Sequence, residues 1–209
     1  TVYGVDDTLS DDNQAFSVTL GSVTSSDVNY AGKNPDDVRV TNVDNETASI
    51  TVSKLSDNTT EMGGTATFTV VLDSQPTSDV SIAVSSSDTS EATISPSSLT
   101  FGSSNYSTLQ TVTVTGVDDF YDDDNVSYTI TVDPSSSIAS YNTMTSSTIT
   151  GSNIDNDTAS ITVGAKSGNT SEFGTTATIN VILATIPTAN VSIVVTDKDS
   201  TEVSITPTT

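Results

Sequence analysis

Any site chemistry in this chain has to be built from oxygen. The sequence has 27 Asp and Glu residues against five basic ones, Lys33, Arg39, Lys54, Lys166 and Lys198, and contains no His and no Cys. Without His it lacks the commonest general base and the commonest transition-metal ligand, and without Cys it lacks disulfides, thiolate nucleophiles and thiolate-bound zinc. Oxygen donors suit hard cations, calcium above all and magnesium less readily, because magnesium prefers to keep its waters. The acids are grouped: Asp118-Asp119, Asp122-Asp123-Asp124 and Asp155-Asn156-Asp157 form clusters, with Glu61 and Glu91 standing singly.

These acids recur, because the chain repeats itself. Asn153-Ile-Asp-Asn-Asp-Thr-Ala-Ser-Ile-Thr-Val163 restates Asn42-Val-Asp-Asn-Glu-Thr-Ala-Ser-Ile-Thr-Val52 after 111 residues, and residues 42 to 96 match residues 153 to 207 without a gap at about half of their positions. A long period of this kind is the mark of an array of similar modules. Val2-Tyr-Gly-Val-Asp-Asp7 and Ser10-Asp-Asp-Asn13 likewise anticipate Val114-Thr-Gly-Val-Asp-Asp119 and Asp122-Asp-Asp-Asn125, one residue out of step. The expected organisation is the C-terminal half of one repeat over residues 1–44, a complete repeat over 45–155, and the N-terminal half of a third over 156–209, cut from something longer. On this alignment Asp6, Asp7, Asp11, Asp44 and Glu46 are the counterparts of Asp118, Asp119, Asp123, Asp155 and Asp157. Glu172 and Glu202 are those of Glu61 and Glu91.

The elements that carry the acids are strands. Ala48–Val52, Ala66–Leu72, Val80–Val84, Leu99–Phe101, Val112–Gly116, Val126–Val132 and Ser147–Thr150 alternate apolar with Thr or Ser and are rich in β-branched residues, the period-two signature of half-buried strands. Turn formers lie between them, among them Gly63-Gly64, Asp73-Ser-Gln-Pro76, Ser95-Pro96, Asp133-Pro134 and Gly151-Ser152. No window has helical periodicity. Seven strands per repeat, each with one apolar face, predict an all-β fold of tandem two-sheet antiparallel sandwiches. With 33% apolar residues and few aromatics, chiefly Phe68, Phe101, Tyr106, Phe120, Tyr121, Tyr128 and Tyr141 in the middle repeat, the core is expected to be thin.

In such a sandwich the acids sit at strand ends: Glu61 opens a strand, Asp118-Asp119 closes one, Asp123 precedes the next, and Asp155 to Asp157 form the hinge to the following repeat. Strand ends on one side converge, and about five or six carboxylates brought together raise one another's pKa unless a cation joins them. Acid-rich loops are also ordinary solvated turns, and Asp57, Asp73, Asp79, Asp133 and Asp197, which the repeat does not keep, are read that way. Paired acids can hydrolyse glycosides, but an active site repeated every 111 residues would be odd and sugar-stacking aromatics are scarce, and no enzyme is expected.

The order of features resembles the Calx-beta domain: Glu61 and a small-residue turn before Thr-Ala-Thr-Phe-Thr-Val-Val-Leu72, an acid before Leu99-Thr-Phe101, then Val-Thr-Gly-Val-Asp-Asp119, more acids, an aromatic strand and an Asp-Asn-Asp exit. The resemblance covers the middle repeat and both partial ones. It implies a seven-stranded immunoglobulin-like sandwich that binds several calcium ions at the pole facing the next domain. It further implies that Glu61, Asp118, Asp119, Asp123 and Asp155 to Asp157 supply ligands, joined by Glu91 where the family tends to carry Asp. Asn156 and Glu46 depart from an all-Asp exit.

The leading expectation is therefore a calcium-rigidified spacer, stalk or fibre of an extracellular or cell-surface protein, with each repeat roughly 40 Å long from strand rise. Its partners would be neighbouring repeats and other copies of the chain. The alternative is an adhesive or self-assembling filament module in which strands complement one another between chains. A formal charge of −22 repels nucleic acid and anionic membrane, and no membrane insertion is expected in this segment.

Overall fold

The computed structural model describes residues 1–208. Its strands, in chain order, are β1 (Gln14–Val18), β2 (Val38–Asn42), β3 (Ile50–Val52), β4 (Thr59–Thr60), β5 (Thr65–Leu72), β6 (Val80–Ser86), β7 (Ala92–Ser95), β8 (Ser98–Phe101), β9 (Gln110–Gly116), β10 (Val126–Ser136), β11 (Ser147–Ile154), β12 (Ile161–Val163) and β13 (Val181–Leu183). A single one-turn helix, α1 (Ala139–Asn142), joins β10 to β11. The chain is all-β, as its periodicity predicts.

Strands β3 to β11 build two sheets, one in the order β4-β11-β10-β6-β8 and the other β3-β5-β9-β7. Alternation decides what lies between them. Along β5 every second residue is buried, so Ala66, Phe68, Val70 and Leu72 point inward while Thr65, Thr67, Thr69 and Val71 do not. Val80, Ile82 and Val84 of β6, Leu99 and Phe101 of β8, Val112 and Val114 of β9, and Tyr128, Ile130 and Val132 of β10 close the same core. Burying a Val, Leu, Ile or Phe side chain stabilises by about 1.5–3 kcal/mol, so these few strands carry most of the hydrophobic free energy. Of the seven aromatics only Phe68, Phe101, Tyr128 and Tyr141 are fully buried, and Phe120 is 63% exposed.

The structure has nine strands in this unit where the sequence predicts seven. Strand β4 is two threonines with no apolar residue, held by parallel pairing to the end of β11. Strand β7 is a four-residue stretch antiparallel to β9 that ends at Ser95, where Ser95-Pro96 reads as a turn. Asp133-Pro134, expected as a turn, lies inside β10. There β10 has lost its partner β11 and pairs only with β6, an edge position at which a missing proline N–H costs nothing. The expectation of no helix fails at α1, whose Tyr141 is buried and exchanges hydrogen bonds with the Ser74 hydroxyl and carbonyl at 3.1 Å each. One turn is too short to leave a periodic signature.

Strand pairings in the flanking segments have counterparts in this unit. Strands β1 and β2 pair with Gln14 opposite Asn42 and Phe16 opposite Val40, matching Val126 opposite Asn153 and Tyr128 opposite Gly151 in β10 and β11. Strands β12 and β13 pair with Ile161 opposite Leu183, matching Ile50 opposite Leu72.

Candidate metal centre

Four separate stretches of chain bring six carboxylates together at one end of the two-sheet unit. Glu61, Asp155 and Asp157 each place a carboxylate oxygen within 4.8 Å of the others, and Glu91, Asp119 and Asp123 do the same. The β4–β11 pairing makes the first triad. It sets Thr60 opposite Ile154, and the Glu61 N–H then donates to the Ile154 carbonyl at 3.1 Å, so the residue after each strand is an acid facing the other. A tight turn follows Glu61, with the Gly63 N–H donating to Thr60 O at 3.0 Å and Gly63 at φ +77°, a conformation natural to glycine.

Asp155 organises the loops around it. Its N–H donates to Asn125 Oδ1 at 3.1 Å, and its carboxylate accepts from the N–H groups of Asp124 at 3.0 Å and Asp157 at 2.7 Å. Asp124 has φ +65°, a left-handed conformation that Asp tolerates better than most residues. Glu61 accepts from the Asn156 N–H at 3.0 Å, Asp118 from Asn156 Nδ2 at 3.2 Å, and Asp119 from the Tyr121 N–H at 2.7 Å. Backbone donors thus fix the acids in place. Loops rich in Asp and Asn do this for local reasons, and what exceeds local turn chemistry is the meeting of two such loops with Glu61 and Glu91.

Those two glutamates are buried, at 2% and 6% exposure. Burial holds the carboxyls of Glu61, Glu91, Asp123 and Asp157 above the usual range, and the neighbouring carboxylates push the same way. The charges that act most strongly on these four groups are all carboxylates. A set made only of oxygen, partly desolvated and lacking any cation of its own, fits a hard divalent ion.

Behind the acids lies a buried polar network that the sequence does not announce. Asn153, at the end of β11 and 1% exposed, donates from Nδ2 to Val117 O at 2.9 Å and to Glu91 Oε2 at 3.3 Å, while its Oδ1 accepts from the Thr59 hydroxyl at 3.0 Å. The Thr59 hydroxyl also lies 3.1 Å from the Tyr128 hydroxyl. Asn153 thereby ties β11, β4 and the start of the Asp118-Asp119 loop to Glu91. Its counterpart Asn42 donates to Val5 O at 3.2 Å, so the sequence signal was the invariance of Asn at the head of both repeated stretches. Replacing Asn153 with Ala leaves Val117 O and Glu91 buried with fewer partners, and stability should fall by about 2 kcal/mol, read from urea unfolding at constant slope.

Of the acids expected as ligands, Glu61, Glu91, Asp119, Asp123, Asp155 and Asp157 meet in the two triads. Asp118 lies beside them through Asn156 but in neither. Asp6, Asp7, Asp11, Asp44 and Glu46 line a single cleft at the corresponding place in the first segment without forming a comparable triad among the described residues. The cleft nonetheless repeats the loop geometry. Asp44 accepts from the Asp12 N–H at 2.9 Å and the Glu46 N–H at 2.9 Å, its own N–H donates to Asn13 Oδ1 at 2.9 Å, and Asp12 has φ +63°. Glu172 and Glu202 are exposed and belong to no cluster, because residues 156–209 contain no counterpart of the Asp118–Asp157 loops that face Glu61 and Glu91.

No family model matches the chain, and no curated protein does. Among solved structures it is similar to the CsuC-CsuE chaperone-tip adhesion subunit pre-assembly complex from the archaic chaperone-usher Csu pili of Acinetobacter baumannii. The identity there is 12%, over 52% of this chain and 58% of that one, with a TM-score of 0.39. It is also similar to SSP-19, an MSP-domain protein like family member in Caenorhabditis elegans, at 15% identity over 47% and 91% with a TM-score of 0.33. A third is the ASH / PapD-like domain of human CEP192, at 12% identity over 54% and 88% with a TM-score of 0.35. Likenesses this distant carry no argument about the chain.

Proposed function

We propose that the chain is part of a tandem array of Calx-beta-like, immunoglobulin-like sandwiches that bind calcium at the pole of each repeat and serve as a stiffened spacer of an extracellular surface protein. The observation that carries this reading is the pair of carboxylate triads assembled from stretches as far apart as Glu61 and Asp157. Burial and mutual repulsion make such an assembly costly as bare anions, and about 6 to 8 oxygen ligands are what calcium takes. Counting β3 with β4, and β7 with β8, as single strands that change sheets brings the unit to the seven strands of the family it resembles.

The repeats would run over residues 1–44, 45–155 and 156–209, supported by the shared registers and by the Asp44 and Asp155 loops with their matching hydrogen bonds. The acids lie where one repeat gives way to the next, so metal would tie Asp157, just past the boundary, to Asp155 and Glu61 of the repeat before it. No catalytic role is proposed, the sequence having no His and no Cys. Among the described residues no helix is long and apolar enough to cross a membrane.

Small-angle scattering of the full chain tests the reading. With calcium the expected particle is extended and narrowly distributed, while with chelator the repelling hinges loosen and the distribution of dimensions broadens. Superimposable profiles in the two conditions would count against calcium as the stiffening agent.

A further inference from the structure

The acidic loop also has a backbone side, and it is met twice by the same feature of the next segment. Immediately after the Asp6-Asp7 doublet, Thr8 O accepts from the Gln75 N–H at 2.8 Å, the Ser10 N–H donates to Gln75 O at 3.3 Å, and Leu9 and Gln75 are bridge partners. Immediately after the Asp118-Asp119 doublet, Phe120 O accepts from the Ile186 N–H at 2.7 Å. Gln75 and Ile186 are 111 residues apart and Thr8 and Phe120 are 112 apart, the same offsets that relate the strand registers. The side chains differ at both ends, Gln against Ile and Thr against Phe, while the N–H to carbonyl bond is retained.

A contact that survives replacement of its side chains is specified by the backbone. The sequence supplies a reason: each donor precedes a proline, Pro76 or Pro187, and a residue before proline is restricted to extended conformations, which keeps its N–H presented at the surface. We infer that the turn following β5, residues 73–76, is a docking surface whose partner is the acidic-doublet loop of the preceding repeat, joined through main-chain hydrogen bonds that any repeat of the array can form. This rests on the tandem-repeat reading above and adds a second interface to the metal-bearing one. The doublet loop then has two duties, offering carboxylates to its own repeat and carbonyls to the next.

The absence of cysteine from the chain permits a direct test. In the full chain carrying Leu9→Cys with Gln75→Cys, mild oxidation in calcium should consume both thiols within one molecule, because bridge partners lie within the separation a disulfide spans. Each single substitution should keep its thiol. Tyr121→Cys with Ile186→Cys, the matching pair at the second junction, should behave alike and covers the case in which the first variant folds poorly. Free thiols persisting in both pairs, while calcium still raises the melting temperature, would overturn the docking surface and leave the metal reading standing. Thiol loss without any calcium-induced rise would uphold the docking surface and remove the metal reading.

Discussion

Calcium in hundredfold excess over its dissociation constant should raise the melting temperature of the chelator-treated chain by roughly 10 °C or more. A ligand that binds only the folded form stabilises it by about 2.7 kcal/mol per site at that excess, and a domain of this size gains several degrees per kcal/mol. The two triads of Glu61, Asp155, Asp157 and of Glu91, Asp119, Asp123 offer two places for it. The response to pH should have opposite signs with and without the metal. Without it, the folded carboxyls of Glu61, Glu91, Asp123 and Asp157 hold protons more tightly than the unfolded ones, whose reference values are 4.5 for Glu and 3.8 for Asp. As pH falls from neutral through the raised folded values, the folded state takes up protons first and stability increases. With calcium, the same protons displace the ion and stability decreases. Asp44, Asp88 and Asp199, held below the usual range chiefly by hydrogen bonds, lose their contribution only below 3.8, outside that window. Thermal melts at several pH values in each condition read both signs.

Gly116→Ala should destabilise the central unit by about 3 kcal/mol and loosen the metal centre with it. Gly116 ends β9 beside the acidic doublet, where a Cβ would collide with the backbone carbonyl of Thr60, with Asn153 Oδ1 and, at 2.8 Å, with the Thr60 carbonyl carbon. Neither obstacle is free to give way, since Thr60 belongs to the β4–β11 pairing and Asn153 to the buried network. Overpacking of a tight interior typically costs about 1–3 kcal/mol, more when backbone must move. The movement required is that of β4, which carries Glu61 on its end. Gly21→Ala, where a Cβ meets nothing within 4 Å, should stay within about 0.5 kcal/mol of the parent. Chemical denaturation of both variants against the parent measures the difference, and equal losses would show that the close approach at Gly116 is relieved without strain.

What could be read from the sequence follows from how many residues carried each signal. Strands β5, β6, β9 and β10 were legible because each carries a run of five to seven residues in which buried apolar positions fall at every second residue, and the buried positions of β5 are those the alternation selects. Strand β4 was not, because Thr59-Thr60 has no apolar residue and exists through its partner β11. Pro134 misled for a related reason, since proline excludes a strand only where both edges are paired. At the site, the repeat singled out Glu61, Glu91 and the Asp clusters, because only internal comparison separates retained acids from solvated ones. Their division into two triads was not legible, being a consequence of which loop meets which glutamate. Asn153 was visible as the letter heading both repeated stretches but not as a buried group, since nothing in the sequence shows that β11 continues far enough to bury it.

Metal stiffening requires carboxylates from distant strand ends to act as one receptor for a divalent ion. Calorimetric titration of calcium into the chelator-treated full chain, beside the Glu61→Gln/Glu91→Gln variant and with magnesium in parallel, measures this with least intervening inference. The prediction is a saturable calcium signal corresponding to at least two sites, a weaker one for magnesium, and loss of most of the calcium signal in the variant. Calcium heats equal to those of dilution, or identical in the parent and the variant, would contradict it.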